Sequence, residues 1–140
     1  MNPSENPTLN FEWNDYLTLA REWANTSNIT YPAALYRSII SRSYYATYHA
    51  IAAFAIQLGV DITFTASDHY RVRQFFSKRG RVAHQMSLLL GDLYHLRVGA
   101  DYMIDPGDAV THNPKASAQQ AIKLADQIAQ LLGYLQPKTK

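Results

Sequence analysis

The chain has 140 residues, 47% of them hydrophobic, with thirteen basic and eleven acidic side chains, a formal charge of +2 and no cysteine. That length supports one domain with its own core, and the absence of cysteine excludes a disulfide framework and thiolate metal sites and fits a reducing compartment. No apolar run reaches the roughly 18 residues of a membrane span, and Glu5, Glu12, Asp15 and Glu22 stand where a secretory leader would be basic and apolar, so a cytoplasmic protein without membrane contact is expected.

Residues 1–9 hold two prolines and several small polar residues, and are expected to form a flexible arm. Asn10 is a candidate N-cap for a first helix ending near Asn25, with Phe11, Trp13, Tyr16, Leu17, Leu19, Ala20 and Trp23 at amphipathic spacing. Asn25-Thr-Ser-Asn28 reads as a short link to an antiparallel neighbour.

The stretch from Tyr31 to Leu58 dominates the pattern. Pro32 suits a first helical turn, Gly59 suits a left-handed cap, and nothing between them breaks a helix. Leu35, Ile39, Ala46 and Ala53 lie on one line and Ile40, Ile51, Phe54 and Leu58 on another. A rod that is apolar on several sides must be covered on several sides, which makes it the central helix of a bundle.

Gly59 to Ala66 is β-branched, but a lone strand has nothing to pair with, so a loop is expected there. Ser67 can cap a third helix running to about Lys78, with Tyr70, Val72, Phe75 and Phe76 inside. After a Lys-Arg-Gly-Arg turn, Val82 to Ile104 has the spacing of a fourth helix, in which Gly91 and Gly99 mark close packing. A punctuated loop from Asp105 leads to Asn113 and Pro114, the cap and first turn of a last helix to Leu135, before a flexible tail at 136–140. The expectation is a single all-α domain over 1–140, a four- to five-helix up-and-down bundle.

Charge is unevenly spread. From His69 through Gly91 there are five cations (Arg71, Arg73, Lys78, Arg79, Arg81) and no acid, while the other eight cations meet all eleven acids. With His84, this segment is a candidate phosphate- or nucleic-acid-binding surface, set against the plainer reading of a solvated helix end. The three glutamates lack a histidine three residues on, so a carboxylate-bridged di-metal bundle is excluded. There is no phosphate-cradling glycine loop, nucleophile elbow or zincin helix, and neither a metal nor a cofactor is expected.

What remains is arginine, tyrosine and histidine. Arg42, Tyr45 and His49 share a face of the central helix, flanked by Tyr44 and Tyr48. On the fourth helix Arg97 and Asp101 are one turn apart, with Tyr94 a turn earlier and Tyr102 adjacent. These groups either satisfy one another inside the bundle, with Arg97 paired to Asp101, or form a phosphate grip with a nearby proton donor or acceptor.

Three segments together, Tyr36-Arg-Ser-Ile-Ile-Ser-Arg-Ser-Tyr-Tyr-Ala-Thr-Tyr-His-Ala50, His69 six residues before Phe75, and Leu96-Arg-Val-Gly-Ala-Asp-Tyr102, resemble the small stand-alone branch of the HEPN superfamily (higher eukaryotes and prokaryotes nucleotide-binding domain). The resemblance runs from about Leu17 to Leu132. It implies a helical bundle, usually a homodimer, often encoded beside a small nucleotidyltransferase as a toxin–antitoxin pair. Many such proteins are metal-independent ribonucleases whose motif is an arginine followed a few residues later by histidine. The motif arginine maps onto Arg97, and Tyr102 stands where the histidine is expected. Arg79 with His84 and Arg42 with His49 have comparable spacing. The resemblance thus implies Arg97, Tyr102, Arg42 and His49 as catalytic candidates, beside a pocket of Tyr44, Tyr45, Tyr48 and Asp101, with RNA as a possible partner. The alternative is a non-catalytic module that binds a nucleotide or a partner, or simply dimerises.

Overall fold

The computed structural model describes residues 13–25, 31–63, 65–105 and 107–136, with side chains from Asp15 onward. The expected arm, the Asn10 cap, Phe11, the ring of Trp13, the link at 26–28 and the tail beyond Gln136 lie outside the described residues. The helices are α1 (Trp13–Ala24), α2 (Pro32–Gln57), α3 (Ser67–Ser77), α4 (Arg81–Tyr102), α5 (Ala109–His112) and α6 (Pro114–Leu135), with no strand among the described residues. The fold is an all-α bundle.

The central helix is where its punctuation puts it. Pro32 occupies the first turn of α2. At the other end Gly59 takes φ +95°, its N–H bonds to Ile56 O at 3.0 Å, and Val60 N–H reaches Ala55 O at 2.9 Å. These two bonds form a Schellman closure, which needs the left-handed residue that glycine supplies. Helices α1, α3, α4 and α6 all pack against α2. Twelve α2 residues are buried, among them Ile39, Ile40, Ala46, Ile51 and Phe54. Leu17 and Ala20 of α1, Leu90 and Leu93 of α4 and Ile128 of α6 complete the core. Each buried Leu or Ile contributes about 1.5–3 kcal/mol from area alone.

Several local expectations are corrected. Ser67 does not cap α3: it is the first residue of the helix, and no side chain caps this start. Asp68, in the first turn, instead ties down the residues before the helix with its 2%-exposed carboxylate. It accepts from Thr63 N–H at 3.1 Å, Thr63 Oγ1 at 2.7 Å, Thr65 N–H at 3.2 Å and Arg71 Nη1 at 3.0 Å, tying Thr63 and Thr65 to the helix start. Tyr70 points outward and is 60% exposed. The buried line of α3 is Asp68, Val72 and Phe76, four residues apart, and Tyr70 falls on the opposite side of that helical wheel. Leu58, placed on the inner line, is exposed at the end of α2. The 105–113 loop contains one helical turn, α5, capped by Asp108, whose carboxylate accepts Val110 N–H at 3.0 Å. Asn113 caps α6 as expected, accepting Ala116 N–H at 3.1 Å.

Gly99 explains how α5 sits so close to α4. A Cβ there would lie 2.9 Å from Asp108 Oδ2 and 3.0 Å from Val110 Cγ2. Across the same junction lies Arg37 of α2. Its Nη1 donates to Gly99 O at 2.9 Å, Ala100 O at 3.0 Å and Met103 O at 2.9 Å, and its Nη2 donates to Thr111 Oγ1 at 2.9 Å. One guanidinium therefore serves Ala100 O and Met103 O at the end of α4, shares Gly99 O with the Met103 N–H, and joins α2, α4 and α5. Replacing Arg37 with Ala strands those acceptors and should lower the unfolding free energy by about 2–4 kcal/mol. Lys should recover less than half of that, because an ammonium cannot span the fork. Urea unfolding of the two variants measures both.

Candidate phosphate-binding site

Arg97 is brought from α4 against the polar side of α2. Its Nη2 donates to Tyr45 Oη in a short hydrogen bond and approaches Tyr102 Oη at 3.5 Å. Its Nε lies 2.9 Å from Asp101 Oδ2 yet makes no directed hydrogen bond there, so that contact is a charge pair. The guanidinium carbon is 5.1 Å from the Tyr45 ring centre, 5.3 Å from Tyr102 and 6.0 Å from Tyr44. Burial opposes the charge, but the Tyr45 hydroxyl and the Asp101 carboxylate outweigh it and hold Arg97 firmly protonated. Ser41 Oγ donates to Asp101 at 3.4 Å, steadying the pair from α2.

Beside it a cavity of about 590 Å³ opens between α1, α2 and the end of α4, lined among others by Tyr16, Trp23, Ser41, Arg42, His49 and Asp101, with Tyr45 as the shared wall. Arg42 is exposed, its guanidinium 5.7 Å from the centres of both the Tyr16 and Trp23 rings. Stacking leaves its N–H edges free, and among the described residues they have no hydrogen-bond or ion-pair partner. Arg42, Tyr45, His49 and Asp101 thus share one cavity, with Arg97 immediately behind Tyr45 and Asp101. Tyr102 is 67% exposed at the end of α4.

Tyr44 and Tyr48 turn the other way, into the bundle, and do not line that cavity. They enclose His69 of α3. Tyr44 Oη makes a short hydrogen bond with His69 Nδ1, and the Tyr48 ring centre is 4.3 Å from the imidazole centre. Tyr94 of α4 lies 5.8 Å away. Burial pushes the Tyr44 hydroxyl far up, and it pushes Tyr48 up to about 12 with help from Asp68, so both stay protonated in the physiological range. His69 is lowered from its ordinary 6.5, by burial first and then by the Arg97 and Arg73 charges. Sequence reasoning had used His69 only as a spacing marker. Its position as the hub of four tyrosines depends on how α3 docks, which no local pattern encodes.

The basic segment does not act as one patch. Arg71 is spent on Asp68 and, at 2.7 Å, on Asp61 O. Arg73 faces α4, with its guanidinium carbon 4.7 Å from the Tyr94 ring centre. Lys78, Arg79, Arg81 and His84 are exposed around the α3–α4 turn, where Arg79 stacks 4.6 Å over Phe75 and His84 Nδ1 lies 3.1 Å from Ser77 O. Among the described residues no three His, Asp or Glu side chains come together in a group that could hold a metal ion, and no helix is long and apolar enough to cross a membrane.

The HEPN domain family model matches residues 13–135. The chain belongs to the HEPN family. No curated protein and no solved structure matches it. Within this HEPN domain, the arginine and tyrosine segments singled out in the sequence meet across the α2–α4 contact, and the neutral histidine beside them gives the fold a pH dependence. The folded-state pKa of His69 lies below the unfolded 6.5, so as pH falls the unfolded chain takes up the proton first. Stability from this residue is complete above about pH 6.5 and declines below it. Denaturant unfolding from about pH 7.5 to 5 should show that decline, and His69→Gln, which cannot titrate, should flatten it.

Proposed function

We propose that this HEPN domain acts on RNA, holding a phosphodiester where Arg42 and Arg97 converge on Tyr45, and that it cleaves the strand without a metal ion. The reading is carried by one observation: an arginine whose donors are unspent among the described residues shares a wall with an arginine clamped in its charged state. An arginine fork fits phosphate oxygens in two-point contact, and a fixed, part-buried guanidinium stabilises charge that develops on them during transfer. The cavity of about 590 Å³ has room for a nucleotide unit, and the Tyr16 and Trp23 rings offer a face for a base.

The exposed cations at the α3–α4 turn extend the electrostatic track for a longer strand. We read the protein further as one half of a toxin–antitoxin pair, working as a homodimer in the cytoplasm and restrained by a nucleotidyltransferase. The second reading, a non-catalytic nucleotide- or partner-binding module, draws on Tyr102. Tyr102 stands where the family's motif would have histidine, and a phenol offers no ring nitrogen to accept a proton.

Structured RNA incubated with the protein in chelator separates the two readings. The cleaving reading expects products from the wild type and none from an Arg97→Ala protein whose circular dichroism is unchanged; intact RNA in both supports the binding module. Binding itself should weaken steeply with salt. Arg42→Gln, at an exposed position, should leave stability within about 0.5 kcal/mol. It should also reduce the slope of log affinity against log salt by about one, as should Arg79→Gln. An unchanged slope in both variants removes these residues from the strand's path.

A further inference from the structure

We propose that the outer face of α3 is a second nucleotide-binding site, which stacks a base on Tyr70 and holds its phosphate on Lys78 and Arg79. The class of ligand rests on the RNA reading above, whereas the place does not, because the groove shares no residue with the cavity beside Arg97.

The groove has a volume of about 470 Å³, and its walls include Val60, Tyr70, Gln74, Phe75, Lys78 and Arg79. Helical spacing orders these groups. Tyr70, Gln74 and Lys78 follow one another four residues apart, in a row along α3 to its C-cap, and Phe75 and Arg79 make a second row beside it. Tyr70 faces outward because Asp68, Val72 and Phe76 take the buried line of the helix. Its ring is 60% exposed and touches no other ring or cation among the described residues. Next to the part-buried Val60 and Phe75, it gives the groove an apolar end. Gln74 is exposed, and its amide makes no hydrogen bond among the described residues, so it offers a donor and an acceptor together. Arg79 is oriented by Phe75, its guanidinium carbon 4.6 Å from the ring centre, which leaves its N–H edge open. Lys78 has no anionic partner among the described residues.

The distribution of charge selects the ligand. No carboxylate lines the groove. The third cation in its wall, Arg71, is already answered by Asp68 at 3.0 Å and by Asp61 O, so the uncompensated charge sits at the Lys78 and Arg79 end. Eight residues of helix place that end about 12 Å from Tyr70, and the guanidinium of Arg79 shortens the gap by leaning back over Phe75. A flat ring at one end, a two-way amide between, and paired cations at the other match the base, base edge and phosphate of a nucleotide in that order. A bare phosphate uses the cations alone. An acidic peptide brings several carboxylates to a groove with only two uncompensated cations, and leaves the exposed ring and the amide unused. A glutamine amide pairs with the N6 and N7 edge of adenine, which makes adenosine 5′-monophosphate the probe of choice.

Amide NMR shifts of the whole chain test this. Adenosine 5′-monophosphate should move the side-chain amide of Gln74 and the backbone signals of Tyr70 and Arg79. Tyr70→Ala, at an exposed position that leaves the fold intact by circular dichroism, should weaken the affinity about tenfold or more. Tyr70→Phe should keep it within about twofold, since the ring and not the hydroxyl carries the contact. Inorganic phosphate and a hexaglutamate peptide serve as controls. If either control reproduces the nucleotide's shift at Gln74, or if Tyr70→Ala binds the nucleotide as the wild type does, base recognition at this groove is overturned. Binding of a single-stranded oligoribonucleotide separates this site from the RNA reading. A wild type that binds the strand while Tyr70→Ala loses nothing overturns the α3 site and leaves that reading standing. A wild type that takes the mononucleotide at Gln74 and Tyr70 but binds no strand overturns the RNA reading and keeps the α3 site.

Discussion

The structure depends on the enclosure of α2. Four helices pack on it, so every polar side chain it carries inward has to find a partner inside the bundle. Arg37 finds the last carbonyls of α4, Tyr44 finds His69, Tyr45 finds Arg97, and Thr47 bonds back to Ser43 O at 2.8 Å. Ser43 is the exception, its buried hydroxyl without a partner among the described residues. The site is therefore not an addition to the core. It is the way the core disposes of a helix too long and too polar to be covered by apolar contacts alone.

Comparing the arginines separates scaffold from function better than their position in the sequence does. Arg37 spends both terminal nitrogens on the backbone and Thr111, Arg71 is held by Asp68 and Asp61 O, and Arg21 pairs with Asp126. Arg97 is intermediate, balanced between a carboxylate and phenols. Arg42, Arg73 and Arg79 instead lie on aromatic faces. Stacking fixes the plane of a guanidinium while leaving its donor edge unsatisfied, which orients the cation for an oxyanion at little further cost in side-chain entropy. Three guanidiniums in that state on one small domain point to a polyanionic ligand more firmly than a net charge of +2 does.

Much of the fold was legible because its signals are local. Pro32, Gly59, Asn113 and Pro114 act within one turn of themselves, and the apolar stripe of α6 repeats cleanly. The misreadings share a cause. Ser67 falls inside α3 and caps nothing, while the buried carboxylate of Asp68 binds Thr63 and Thr65 ahead of the helix, a fact of loop geometry. Tyr70 was placed inside by hydrophobicity, whereas the phase of α3 is set by Val72 and Phe76 meeting α2 and α4. The +5 segment read as one surface because it is contiguous in sequence, yet on a helix neighbours two apart diverge, sending Arg71 to Asp68 and Arg73 to Tyr94. The approach of Arg42 and Arg97 to a common wall could be guessed from two motif-bearing helices, but the placement of His69 could not.

That placement couples proton and anion. The phenols and guanidiniums around the imidazole are penalties on its charged form, by burial first and then by the Arg97 and Arg73 charges. By linkage, an anion that favours the imidazolium must itself bind more tightly once the imidazolium has formed. The imidazole is thus held in its neutral form by its surroundings, and that balance would shift toward the charged form with any anion brought beside it. A fully buried histidine paired to a carboxylate would lack this shift, because its charge would already be compensated before any anion arrived. With Asp68 held by Thr63 and Arg71 and Asp101 committed to Arg97, neither carboxylate is left to cancel a charge on His69.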